Sequence, residues 1–316
     1  MIMSNPIRPF LEQQGALVLD GGLATQLEAR GADLHDPLWS AKLLLEDPAL
    51  IRQVHLDYFG AGADCAITAS YQATIPGFVR RGLTETQAVE LIRLTVQLAE
   101  EAREEFWAGM EPGRRLRPVI AASIGPYGAY LANGAEYSGD YDLDEAGLVS
   151  FHRQRWHILA ESGADLLACE TIPSLAEAKA LRRLLPETPT KWAWFSFSCR
   201  DGRSISDGTP ISDCAALLED MEQVVAVGVN CTPPRYVPQL IGELFKVTQK
   251  PIVVYPNSGE QYDAVAKRWQ GLSIPAEFGT YSREWRKAGA ALIGGCCRTG
   301  PDHIRQIRDR FRQTVA

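Results

Sequence analysis

Short, mostly apolar runs alternate with longer amphipathic stretches along the whole chain. The runs fall at residues 16–19, 65–68, 118–123, 165–170, 192–198, 224–230, 251–255 and 290–293. Strands that are apolar on both faces are what a parallel sheet covered on both sides requires. Between the runs, the spacing and punctuation predict helices. Asp47-Pro48 is an N-cap with proline at the first helical position, opening a helix that runs to Gly60. Thr84 with Gln87 makes a capping box at the head of a long helix towards Phe106. Asp144 opens a helix that reaches Gly163, Ser174 one that reaches Leu185 and Ser212 one that reaches Met221. A helix near residues 282–287 precedes the eighth run, and Pro301-Asp302 opens the last helix, to about Arg312. Residues 127–141, rich in Gly, Tyr and Asp, read as a long functional loop rather than a helix.

Eight strand–helix pairs in strict alternation predict an α/β fold, a single-domain (β/α)8 TIM barrel over residues 1–316, with the barrel proper at about 15–312. An open doubly wound sheet is the competitor. It usually begins with a G-x-G-x-x-G turn, which Asp20-Gly21-Gly22-Leu23-Ala24-Thr25 does not match.

Composition narrows the function. With 316 residues, 46% hydrophobic and 22% charged, the chain can bury a large core and shows no sign of disorder. A net charge of −7 argues against nucleic acid or an anionic membrane as partner. Arg114-Arg115-Leu116-Arg117 reads as a solvated loop. No stretch approaches the ~18 apolar residues of a membrane span, and the N-terminus lacks an apolar signal core. Seven cysteines without a disulfide framework favour a reducing compartment and free or metal-bound thiols, so a soluble cytoplasmic protein is expected.

In a barrel of this kind the carboxyl ends of the strands face the active site. Those ends carry Asp20, Thr68, Ser70, Ser123, Glu170, Ser196, Asn230, Cys231, Asn257, Cys296 and Cys297. Taken singly, Thr68, Ser123 and Ser196 fit caps and turns as well as function. Asp20 and Glu170 follow directly on buried strands and are the candidate functional carboxylates. Cys65, Cys169, Cys199 and Cys214 read as small buried hydrophobes.

Cys231 ends the sixth run, and Gly294-Gly295-Cys296-Cys297 ends the eighth, with strand seven between them. Three strand-end cysteines with no fourth protein partner suit an open metal site; a reactive cysteine or buried thiols are the alternatives. The five histidines form no ligand pattern and no G-x-S-x-G elbow exists, which disfavours histidine ligation and Ser-His-Asp hydrolysis. A divalent ion among three thiolates is a weak Lewis acid. It is better suited to hold a fourth sulfur as thiolate than to activate water. A free thiol has a pKa of roughly 8.5, so coordination supplies the reactive form, and alkyl transfer to a thiol is the natural chemistry. The nearby carboxylates would hold a cationic group such as an α-ammonium.

Several segments together carry a family resemblance: Leu19-Asp20-Gly21-Gly22, residues 67–74 (Ile-Thr-Ala-Ser-Tyr-Gln-Ala-Thr), Glu170-Thr171, Val229-Asn230-Cys231, Tyr255-Pro256-Asn257-Ser258-Gly259 and Gly294-Gly295-Cys296-Cys297-Arg298. With them the sequence resembles the zinc-dependent homocysteine S-methyltransferases over nearly its whole length, most closely the S-methylmethionine-dependent branch. The resemblance implies Zn2+ on Cys231, Cys296 and Cys297, completed by the sulfur of L-homocysteine. It implies Asp20 and Glu170 as partners of the homocysteine ammonium, with Thr68, Ser70, Ser123 and Asn230 lining the amino-acid pocket. The donor would be S-methylmethionine or S-adenosylmethionine. A sulfonium carries its own leaving group, so no catalytic residue beyond the metal ligands is expected. Aromatic side chains such as Tyr127, Tyr130 and Tyr255 offer cation–π contact to the donor or simple packing. The chain lacks the extension that builds the betaine enzyme's oligomer, and a monomer is expected. A selenocysteine methyltransferase of the same mechanism and a non-catalytic zinc-containing amino-acid-binding barrel stay open as alternatives.

Overall fold

The computed structural model describes residues 4–34, 39–259, 261–263, 268–270 and 273–312. His35 and the outer limits of the expected domain, residues 1 and 316, lie outside the described residues. The eight barrel strands are β1 (Leu17–Val18), β2 (Cys65–Ile67), β3 (Val119–Ile124), β4 (Leu166–Ile172), β5 (Trp192–Phe197), β6 (Val224–Asn230), β7 (Ile252–Tyr255) and β8 (Ala290–Ile293). All their pairings are parallel, in the order β1-β8-β7-β6-β5-β4-β3-β2. The cylinder closes where Leu19 bridges Cys65 and the Asp20 amide donates to the Cys65 carbonyl at 3.1 Å. This is the (β/α)8 barrel that the alternation predicts. A small antiparallel hairpin, Gln261–Asp263 with Arg268–Gln270, lies between β7 and β8.

Successive strand residues serve two cores. Leu17, Ala121, Ala168, Trp194, Val253 and Leu292 meet inside the barrel, where Ile7 and Phe10 of the N-terminal segment join them. Their neighbours Val18, Ile120, Leu167, Phe195, Val254 and Ile293 face the surrounding helices. The period of two thus buries both faces, which is why the runs are apolar throughout. Each fully buried side chain of this class contributes about 1.5–3 kcal/mol.

The predicted caps at Asp47, Thr84, Asp144 and Ser174 all accept from backbone amides of their first turns. Elsewhere the structure corrects the expectation. The helix before β8 spans Pro275–Lys287, starting well before residue 282, and Phe278, Ser282 and Trp285 form its buried stripe. The helix after β5 spans Ile211–Leu218 from a Pro210 cap, so Ser212 lies in its first turn and Met221 beyond its end. The loop of residues 127–141 contains a short helix, Tyr127–Leu131, and a 3-10 turn, Ala135–Tyr137. Arg115 is not solvated. It donates to buried Asp64 at 3.0 Å, and Arg308 pairs with the same carboxylate, which also accepts from the Val18 amide at 3.1 Å. This buried ion-pair cluster ties β1, β2 and the last helix together at the end opposite the site.

Candidate active site at the carboxyl end of the barrel

The cysteines are placed by the ends of three adjoining strands. Cys231 follows β6 directly, in the left-handed region at φ 45°, and its amide donates to the Tyr255 carbonyl at the end of β7. Beyond β8, Gly294 donates to Val254 (3.0 Å), Gly295 to the Asp20 carbonyl (3.0 Å) and Cys296 to the Pro256 carbonyl (2.8 Å). The Cys297 carbonyl accepts from the Ser258 amide, and the Thr299 hydroxyl returns to the Cys296 carbonyl at 2.7 Å. Only glycine fits at 294: a Cβ there would sit 2.5 Å from Leu19 Cβ and 2.7 Å from the Asp20 carbonyl oxygen.

Cys231, Cys296 and Cys297 bring their sulfurs within 4.8 Å of one another, the one set of three or more metal-ligating side chains this close among the described residues. The Cys231 and Cys296 sulfurs make the tightest contact of the three, with Cα atoms 5.5 Å apart, and the Cys297 sulfur lies 3.8 Å from that of Cys231. A tetrahedral ion with metal–sulfur bonds of about 2.3 Å needs sulfurs about 3.8 Å apart, so the reduced trio fits a metal. Burial lifts the Cys297 thiol to about 11, while the Tyr137 side chain pulls the other way by hydrogen bonding to it. Such a thiol is protonated at neutral pH unless a cation holds it, which counts against a metal-free cysteine nucleophile. Cys65, Cys169, Cys199 and Cys214 are buried elsewhere as free thiols.

Across the mouth stand two carboxylates. Asp20 is 2% exposed; its Oδ2 accepts from the Ile67 amide at 2.8 Å, while Oδ1 is buried with no partner. Burial raises its pKa well above the usual range, and the charge of Glu170 adds to the rise. Glu170 accepts from the Ser123 hydroxyl and interacts with Tyr255, yet burial still lifts it to about 7. Two buried, mutually repelling carboxylates with spare acceptor capacity are suited to a cation.

The other predicted pocket residues turn out to be tied up with one another. The Thr68 and Ser70 hydroxyls meet at 2.7 Å, Ser70 donates to the Ser123 carbonyl at 2.7 Å, and Thr68 Oγ1 accepts from the Ser123 amide. Asn230 uses both ends of its amide on Thr171. Their bonds hold the ends of β2, β3, β4 and β6 in place, and Ser123 alone of the four donates to a carboxylate, that of Glu170.

The sequence model of the homocysteine S-methyltransferase family matches residues 17–311. The chain belongs to the homocysteine S-methyltransferase family. It is 57% identical to homocysteine S-methyltransferase YbgG of Bacillus subtilis, over 96% of each chain. It is 50% identical to the selenocysteine methyltransferase of Astragalus bisulcatus, again over 96% of each. Crystal structures of the homocysteine methyltransferase MmuM from Escherichia coli superpose on it in an oxidized form (TM-score 0.89) and a metallated form (TM-score 0.88). Both are 49% identical and cover 97% of this chain and 100% of theirs. The family is one of methyltransferase enzymes, so the binding-protein alternative is set aside.

Within this family site, Thr171 and Glu136 escape the strand-end argument, and the candidate aromatic rings find their places. Thr171 adopts φ 58° immediately after Glu170, a backbone state that no local sequence signal announces. Tyr255 is 1% exposed, and its hydroxyl accepts from Trp194 Nε1 at 3.1 Å and meets Ser196 Oγ at 2.5 Å, so it floors the pocket. Tyr127 packs edge-on against Tyr141 and Phe151, and Tyr130 already carries the Arg80 guanidinium 4.8 Å from its ring centre. Packing therefore accounts for these rings. Glu136 sits in the 3-10 turn of the loop after β3 and has a buried Oε2 without a partner.

Proposed function

We propose that this chain is a cytoplasmic, monomeric, single-domain homocysteine S-methyltransferase spanning residues 1–316. Its reaction moves a methyl group from S-methylmethionine, or from S-adenosylmethionine, to L-homocysteine. Cys231, Cys296 and Cys297 would hold Zn2+, which when bound supplies the homocysteine sulfur as a thiolate at neutral pH. Asp20 and Glu170 take the homocysteine ammonium between them, and its charge offsets their desolvation and mutual repulsion. Ser123 fixes Glu170 by donating to it, Thr68 and Ser70 hold the Ser123 backbone, and Asn230 fixes the backbone after Glu170. The thiolate sulfur attacks the donor methyl carbon in line with the departing sulfur. The new S–C bond forms as the sulfonium S–C bond breaks, and its electron pair stays on the leaving thioether. No proton moves in this step, so no general acid is needed. The residues contribute position and the exclusion of water.

One observation carries this reading: three strand-end sulfurs share a barrel mouth with two buried carboxylates, close enough for the Glu170 charge to act on Cys297. The test is a methyl-transfer assay with homocysteine against S-methylmethionine, S-adenosylmethionine, betaine and methyl-folate, with elemental analysis of the reduced protein. Methionine formed from a sulfonium donor, with near-stoichiometric zinc, is the expected result. Absence of zinc after reducing purification would sink the proposal. The similarity to a selenocysteine methyltransferase supports selenocysteine as a second acceptor, to be tested by competition against homocysteine.

A further inference from the structure

The segment Ala135–Tyr137 is laid across the barrel mouth. The Ser198 hydroxyl, just beyond β5, donates to the Glu136 carbonyl at 3.0 Å, and the Tyr137 side chain hydrogen-bonds to Cys297, beyond β8. Gly128 lets the backbone of Glu136 come close beneath it, where a Cβ would collide with the Ala135–Glu136 peptide. Asn133 Oδ1 caps the turn by accepting from the Ala135 amide at 3.1 Å. Glu136 is thus held by its backbone, and the Gly134 and Glu136 amides support one side of its carboxylate. Oε2 is buried and has no hydrogen-bond partner. Among the described residues its charge acts on Tyr71, Tyr141 and the Cys297 thiol, none of them a cation.

A buried, unpaired carboxylate oxygen is costly and calls for a partner that none of the described residues supplies. Homocysteine brings one ammonium, and Asp20 and Glu170 already face each other to receive it. A sulfonium amino acid brings two further positive centres, its sulfonium and its own ammonium. We propose that Glu136 is the anion that receives a positive centre of the methyl donor, making the Ala135–Tyr137 turn the donor-specificity element of the site. This rests on the sulfonium-donor reading above. It assigns the third carboxylate at the mouth to the second substrate. The turn touches both Cys297 and the β5 end, so a cation bound there lies beside the acceptor sulfur's position.

The variant to make is Glu136→Gln, which keeps the shape and removes the charge. Its KM for S-methylmethionine should rise at least tenfold, with the homocysteine KM, zinc content and Tm unchanged, and Glu136→Asp should recover part of the loss. An unchanged donor KM overturns the assignment, as does an equal rise in both KM values accompanied by a lower Tm, which marks a merely structural residue. Calorimetric titration of S-methylmethionine into both zinc-loaded proteins, without homocysteine, reads Glu136 apart from turnover. Binding to the wild type that Glu136→Gln loses supports the assignment even if methyl transfer itself fails. Equal binding to both proteins, or binding to neither, overturns it.

Discussion

Asn230 clamps Thr171 with both ends of its side-chain amide: Oδ1 accepts from the Thr171 amide and Nδ2 donates to Thr171 Oγ1, each at 2.7 Å. Asn230 ends β6 and Thr171 is the last residue but one of β4, two strands away, and each lies beside a residue in the left-handed region or is in it itself. Thr171 has φ 58° and Cys231, next to Asn230, has φ 45°. Such conformations cost about 1–3 kcal/mol each and persist only when surroundings impose them. One amide therefore aligns the backbone on the carboxylate side and the sulfur side of the site together.

Asn230→Ala tests the clamp. It leaves the buried Thr171 amide without a partner, which costs about 1–3 kcal/mol before any cavity is counted. Thr171 relaxes, and Glu170 loses its alignment. Denaturant midpoints should fall by a corresponding amount and the homocysteine KM should rise, with the donor KM nearly constant. A variant with wild-type stability and homocysteine KM would show that the two hydrogen bonds do not position the site.

Glu170 makes the affinity for an amino acid depend on pH. Its carboxyl sits at about 7 because of burial. A raised carboxyl pKa contributes stability that is present below the unfolded value and lost as pH rises through the folded value. The free protein is therefore destabilised between about pH 4.5 and 7, by something on the order of 3 kcal/mol from this group. An ammonium reverses the sign, because it pairs only with the ionised form. Binding of methionine, which has no thiol proton to release, should weaken as pH falls through about 7. Glu170→Gln should weaken methionine binding at neutral pH and flatten this pH dependence, leaving the part that Asp20 contributes. Calorimetry from about pH 6 to about 8.5 measures both, and an unchanged slope in the variant removes Glu170 from the ammonium site.

The barrel was legible because burial on both strand faces writes itself as apolar runs, and the punctuating Asp-Pro and Thr-x-x-Gln caps mark helix starts. The cysteines were legible because strands six and eight flank strand seven in any barrel of this kind. What escaped depends on geometry that a local pattern does not encode. Nothing near Arg115 says that Asp64, from a different part of the chain, will lie buried beside it. Ser212 looks like a cap, yet Pro210 starts the helix first because its fixed φ already suits the position. Asn230 reads as a pocket residue from its place at a strand end, and only the fold reveals that Thr171 consumes its amide. Glu136 sits in a stretch whose Gly and Tyr content signals a loop, with nothing in the sequence to say which carboxylate lies within it.

Cys297→Ala separates the metal from the disulfide. The Cys231 and Cys296 Cα atoms lie 5.5 Å apart, a separation a disulfide can span, so this variant should still oxidise, with a thiol count that drops by two when reductant is withdrawn. It should lose metal and methyl transfer together, because two sulfurs alone leave the trio incomplete. In the wild type, metal loading should require reductant and should in turn protect the thiols from oxidation. Elemental analysis and thiol titration on the same samples decide the matter. A Cys297→Ala protein with full zinc and full turnover would falsify the ligand assignment.

Two glycine substitutions with opposite outcomes test how closely the cysteine turn is packed. Gly294→Ala places a methyl 2.5 Å from Leu19 Cβ and 2.7 Å from the Asp20 carbonyl oxygen, and neither neighbour is the free end of a flexible side chain. Leu19 bridges Cys65 at the barrel seam, so yielding there strains the closure as well as the turn. The expected cost is about 1–3 kcal/mol, together with weaker metal retention, because Cys296 and Cys297 follow directly. Gly60 lies in the helix Pro48–Ala61, and the position its added methyl would take has no neighbour within 4 Å. Gly60→Ala meets no obstacle and gains helix propensity, so it should stabilise by about 0.5–1 kcal/mol with metal content and both KM values unchanged. Denaturant titration and chelator-competition rates measure the pair. If Gly294→Ala were as benign as Gly60→Ala, the close approach of the β8 turn to β1 would not be what sets the cysteines.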